Sequence, residues 1–190
     1  MKVILIIVPF FFGFLAEKPV PKMSKQPHME QRLSDSIEWS PDYKLSMEDF
    51  KELKMDNKGV RYDSLNYKLR AYSTVAVGYT FKSEKGKLLF DAFAYFIRSR
   101  SWMKSHDEAV LKHEQGHFDV AEIYARKLAQ AVGEIKNIEN PVFWTSFQKT
   151  FQEINGLLLN EHDKYDEMSM TSLGQDYYYK KIKDELRASE

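Results

Sequence analysis

The sequence predicts an α+β domain in which antiparallel strands come first and helices follow. Two stretches carry the strands. Residues 66–81, NYKLRAYSTVAVGYTF, and residues 88–97, LLFDAFAYFI, are rich in β-branched and aromatic residues, and a turn-forming SEKGK lies between them at 83–87. From about residue 105 the apolar residues fall three and four apart instead. Strands followed by helices, without alternation, is the order of an α+β fold. The 190 residues, 43% of them hydrophobic, are enough for one domain with a full core.

The chain opens MKVILIIVPFFFGFLAEKP. A positive Lys2 precedes an apolar run from Val3 to Leu15 that is too short to span a bilayer comfortably. Residues 1–16 are therefore expected to be a signal peptide or N-terminal anchor. Residues 17–36, with Pro19, Pro21 and Pro27, read as a flexible linker, and residues 37–190 as the domain. A secreted or periplasmic location follows, with any envelope or membrane association made through the N-terminal segment alone. There is no cysteine, which excludes disulfides, a thiol nucleophile and a lipid-modified cysteine. A formal net charge of zero gives nucleic acid no long-range attraction.

Within the domain, Trp39 is expected in a short strand and Ser40-Pro41-Asp42 in a turn. Ser46 is placed to cap a short helix, with Asp49 three residues on and Phe50 and Leu53 on its apolar side. The two strand-forming stretches make a hairpin. A long helix then starts near Ser105 or His106 and runs to about Asn137. Asn140-Pro141 caps a second, reaching about Tyr165 with Trp144, Phe147, Phe151, Ile154 and Leu158 along it. The tail 172–190 reads as helical and carries Tyr177, Tyr178 and Tyr179.

The first long helix contains KHEQGHFDVAEIYARKL at 112–128. Residues four apart share a helix face, so His113 and His117 point the same way. That face continues through Ala121, Tyr124, Leu128 and Ile135, which makes it the inward one. Two imidazoles on adjacent turns can bind one zinc ion. Glu114, turned about 100° from His113, is poorly placed to join the same shell but well placed to take a proton from a water beside the metal. Gly116 is expected to keep the helix surface low where substrate passes, at about 1 kcal/mol relative to Ala. The bland alternative is a pair of core histidines satisfied by hydrogen bonds.

A third ligand has to come from elsewhere. Glu122 lies about 140° from His117 around the helix and faces away, as does Asp119. His162, on the apolar stripe of the next helix, and Asp166, one turn further, both reach inward if the two helices pack antiparallel. His28 and His106 have no such placement. Tyr165 and the Tyr177–Tyr179 run are candidate donors to a developing oxyanion, and the tail is also a candidate cover for the cleft. A hairpin edge can pair with an extended peptide.

The block HEQGHFDVAEIYARKL at 113–128, with SMEDF at 46–50, Ser101-Trp102 and YDEMS at 165–169, resembles a family of bacterial secreted proteins of uncharacterised biochemistry, predicted to be zinc-dependent peptidases. The resemblance covers roughly residues 37–185. It implies a zincin-like α+β metallopeptidase domain, with His113 and His117 as zinc ligands and Glu114 as catalytic base. Relatives tend to continue the YD segment as Thr, any residue, His; here Ser169-Met170-Thr171 stands instead. If that histidine is a ligand, Thr171 is a poor replacement and His162 or Asp166 must substitute. The expected function is a zinc-dependent peptidase acting on a peptide or protein. The alternatives are a weakened or inactive secreted binding protein on the same scaffold, and a zinc hydrolase of a cell-wall amide.

Overall fold

The computed structural model describes residues 35–52, 70–84, 87–104, 107–133 and 142–189. The expected signal segment, most of the linker, His28, Leu53, His106 and Ile135 lie outside the described residues. Within them the chain is α+β, with six strands and three α-helices in the expected order.

Strands β1 (Ser36–Glu38), β4 (Val75–Glu84) and β5 (Lys87–Ile97) form one antiparallel sheet in the order β1-β5-β4. The hairpin β4–β5 runs in register from Val75 opposite Phe96 to Glu84 opposite Lys87. Trp39 falls just beyond β1, and its backbone N–H still donates to the Ala94 carbonyl at 2.9 Å. The Ser46 segment forms a short 3-10 turn at Met47–Asp49. The Asp49 carboxylate accepts the Ser46 N–H at 2.8 Å, while Leu45 and Phe50 on either side enter the core.

The alternating stretch 66–81 is not one strand within its described part. It breaks at Ser73-Thr74. Before the break, β3 (Ala71–Tyr72) pairs with β6 (Trp102–Met103); after it, β4 pairs with β5. Strand β2 (Lys51–Glu52) completes the second sheet, β2-β6-β3. The two residues at the break are buried and polar. The Thr74 N–H donates to Ser101 Oγ at 2.9 Å and its hydroxyl to the Arg100 carbonyl at 3.1 Å. These bonds replace a sheet ladder, so the chain changes sheets there and the Ser73 hydroxyl turns toward the helix behind.

That helix, α1 (Glu108–Gly133), starts where Asp107 caps it, its carboxylate accepting the Ala109 N–H at 2.9 Å. More than half of its 26 residues are buried, so it is a central helix rather than a surface one. Phe118 and Ala121 join one core cluster with Leu45, Phe50, Val75, Ala94 and Phe96. Val120, Ile123, Tyr124 and Leu128 join another with helices α2 (Val142–Met168) and α3 (Ser172–Ala188). In that second cluster Phe143, Phe147 and Phe151 of α2 meet Tyr79 and Phe81 of β4 edge to face. α2 and α1 run antiparallel, since residue 113 meets 166 while 117 meets 162. No helix among the described residues is long and apolar enough to cross a membrane.

Candidate metal centre

The inward face of α1 and the facing turns of α2 bring three ligand atoms to one point. His117 Nε2 lies 3.0 Å from Asp166 Oδ1 and 3.1 Å from His113 Nε2, and His113 Nε2 lies 3.1 Å from the same Asp166 oxygen. All three residues are buried and together could hold a metal ion. Hydrogen bonds alone explain this arrangement poorly. The two histidine nitrogens are each other's neighbours as well as the carboxylate's, and a lone pair or a hydrogen on each leaves one contact of the triangle unfavourable. Ligands at about 2.0–2.1 Å from a tetrahedral ion stand about 3.3 Å apart, a little wider than the triangle seen here.

The rings are fixed from behind. His113 stacks on Tyr165 with centroids 4.7 Å apart and planes 12° from parallel. Its Nδ1 lies 3.0 Å from Ser169 Oγ. His117 Nδ1 lies 2.9 Å from His162 Nδ1. Tyr165 is fully buried and donates its hydroxyl to the His113 carbonyl at 3.1 Å, so it is committed to the helix rather than to a reacting group. Burial raises that phenol well above its ordinary value.

Gly116 serves this packing. A Cβ there would lie 2.2 Å from the Tyr165 hydroxyl oxygen, so the low surface expected for substrate is occupied by tyrosine instead. The α2 sequence produces the rest by spacing: His162 and Asp166 are one turn apart on one face, and Ser169 follows in the next turn.

Glu114 faces the sheets. It is completely buried and accepts the hydroxyl of Ser73, at the break between β3 and β4. Its other oxygen, Oε1, has no hydrogen-bond partner among the described residues. The Nε2 of His162 is likewise unpartnered.

Burial by itself raises the Asp166 carboxyl, but hydrogen bonds from His113 and His117 outweigh it and hold the group well below the ordinary carboxylate range. Burial, then the neighbouring His117, pushes the His162 ring well below its ordinary value.

The structure thus groups His113, His117 and Asp166, while Glu114, next to His113 in the chain, turns to Ser73. His162 stands outside the converging atoms, behind His117. Glu122 points to the sheet: it accepts the Ala94 N–H at 3.3 Å and pairs with Arg126 at 2.9 Å. Asp119 accepts from Trp39 Nε1 at 2.9 Å and from Gln115 Nε2 at 2.7 Å, and Gln115 accepts the Leu45 N–H at 2.8 Å. Gln and Asp of the HEQGHFD block therefore clamp residues 39–45 onto α1 from the other side.

Thr171 caps α3, its hydroxyl accepting the Gly174 N–H at 3.1 Å. The tyrosine run packs as part of α3: Tyr178 is in the core and Tyr179 donates to the Lys112 carbonyl. A hollow on α3 lined by Tyr177, Lys181 and Glu185 shares none of the cluster residues.

Sequence reasoning assigned no role to Ser73 or Ser169. Ser169 was within reach of it, three residues past Asp166. Ser73 lies 41 residues from Glu114, in a stretch that reads as ordinary strand. No family model, curated protein or solved structure matches the chain.

Proposed function

We propose that this chain is a zinc-dependent peptidase with a zincin-like site, in which His113, His117 and Asp166 hold Zn²⁺ and Glu114 is the general base. The observation that carries the reading is the convergence of two imidazole nitrogens of α1, the helix that also carries Glu114, and one carboxylate oxygen of α2, 3.0–3.1 Å apart and buried.

Three protein ligands leave one tetrahedral position for water, the donor count of a catalytic rather than a structural zinc site. When bound, zinc lowers the pKa of that water and polarises a carbonyl. Asp166 brings a carboxylate oxygen, a hard anionic ligand, against the cation. Each histidine ligates through Nε2 and keeps its hydrogen on Nδ1, where Ser169 and His162 stand to accept it. The Ser73 hydroxyl holds one Glu114 oxygen, and the unpartnered Oε1 is free to take the proton from water and pass it to the leaving amine.

Strand β4 pairs only with β5 among the described residues, and this reading lays an extended peptide substrate along its other edge. Two histidines and a carboxylate also bind ferrous iron in other chemistries; a buried carboxylate with a spare oxygen beside them favours hydrolysis.

The deciding measurement is metal content by mass spectrometry on wild type and His113→Ala. The reading expects near-stoichiometric zinc in the wild type and its loss in the variant. No zinc in either protein after reconstitution, or iron in its place, overturns it.

A further inference from the structure

His162 is an expensive residue for its position. The ring is buried in α2. One nitrogen faces His117 and the other has no partner among the described residues. A leucine would fill the same space without the unpaired Nε2, at the cost of leaving Nδ1 of the buried His117 without its partner. What the histidine adds is the contact with His117.

Two imidazole nitrogens 2.9 Å apart require one hydrogen between them. With none, two lone pairs face each other; with two, the hydrogens collide. Which ring owns that hydrogen decides what the far side of His117 offers. If His162 owns it, neutral His117 carries its own hydrogen on Nε2, aimed at Asp166, and has no lone pair there. If His117 owns it, Nε2 presents a lone pair to the point shared with His113 and Asp166. Ser169 stands in the same relation to His113: its hydroxyl donates to the Asp166 carbonyl at 3.3 Å, which leaves its oxygen to accept from His113 Nδ1.

We infer that His162 is the positioning residue of the metal centre: it accepts the Nδ1 hydrogen of His117, sets that ring's tautomer and aims its Nε2 lone pair at the ion. The inference rests on the metal reading above. His162 is neither ligand nor catalytic residue. It keeps its own hydrogen on Nε2, the atom left without a partner. Charge withdrawn from Nε2 by a cation makes the Nδ1 hydrogen a better donor, so ligation and the hydrogen bond strengthen each other.

The test compares wild type with His162→Leu and His162→Gln. Zinc affinity is measured by competition with a chromophoric chelator, melting on the metal-free proteins, and ring protonation by nitrogen-15 NMR. In zinc-loaded wild type the shared hydrogen is expected on Nδ1 of His117, with Nδ1 of His162 bare. His162→Leu is expected to bind zinc about 10–100-fold more weakly, while its metal-free melting temperature changes little, since losing the unpartnered Nε2 offsets leaving His117 Nδ1 without a partner. His162→Gln, whose amide oxygen can accept the same hydrogen, recovers most of the loss.

Weaker zinc binding with undiminished stability is a pairing that a merely structural histidine does not produce. Wild-type affinity in the leucine variant overturns the inference alone, as do zinc-loaded wild-type spectra with the shared hydrogen on Nδ1 of His162. Should the leucine variant fail to fold, the spectra and the glutamine variant decide. A wild type that takes up no zinc removes the metal reading and this inference with it.

Discussion

Asp49 and Asp166 are both buried aspartates held below the ordinary carboxylate range, yet their surroundings differ in kind. Around Asp49 every contact comes from a natural donor. The Tyr43 hydroxyl reaches both oxygens at 2.9 Å, the Ser46 N–H and hydroxyl reach Oδ2, and Arg98 reaches Oδ1 through Nε at 3.1 Å and Nη2 at 2.8 Å. The protein itself supplies the balancing cation. Asp166 meets two histidines, which offer either a hydrogen or a lone pair, and Glu114 Oε1 and His162 Nε2 find no partner among the described residues. The two aspartates themselves are alike in type and burial. What separates a clasp from a candidate metal centre is whether hydrogens and charge close within the chain.

That contrast can be broken in several places. The largest expected effect is at Glu114. Glu114→Gln should lower peptide hydrolysis about 10²–10⁴-fold while zinc content stays the same; hydrolysis that survives would remove the general base from the account. Asp49→Ala should act in the opposite manner. Denaturant titration should show a loss of about 2–3 kcal/mol, since charged hydrogen bonds go and Arg98 loses its partner, with zinc per folded molecule unchanged. A fall in zinc there would mean the two clusters are coupled.

Gly116→Ala should cost about 1–2 kcal/mol net, because over-packing against Tyr165 exceeds the roughly 1 kcal/mol that alanine gains in a helix. It should also weaken zinc binding by displacing the ring stacked on His113.

The smallest effect is the pH dependence of the Asp49 clasp. The folded carboxyl lies below its unfolded value near 3.8 because its hydrogen bonds with Ser46, Arg98 and Tyr43 outweigh burial. The unfolded chain therefore binds the proton first as pH falls. The clasp's contribution is present above pH 3.8 and is lost as pH drops through the lower folded value. The stability gap between wild type and Asp49→Asn should narrow over that window, and a constant gap would contradict the assignment.

The parts of the site that lie within one helix were legible from spacing. His113 and His117 are four apart, and Glu114 follows by rotation alone. The choice between His162 and Asp166 was not, because they too are four apart and share a face; only the antiparallel packing of α2 on α1 decides which atom reaches the ion side. The spacing of HEQGHFD also conceals that Gln115 and Asp119 serve residues 39–45 and that Gly116 admits Tyr165.

Among the strands, the hairpin was readable from residues 75–97, but alternation runs unbroken through Ser73-Thr74, where the hydroxyls turn inward and the chain changes sheets. β2, β3 and β6 are each two residues long, too short to show a period at all.

The three converging atoms come from two helices, and Glu114 ties the first of them to the strand break. A cation taken up only by the native chain would act as a rivet through α1 and α2, adding about 2.7 kcal/mol when present at a hundred times its dissociation constant. Chelation would then do more than silence chemistry. It would leave the Asp166 end of α2 and the turn into α3 as the first region to exchange its amides and admit a foreign protease.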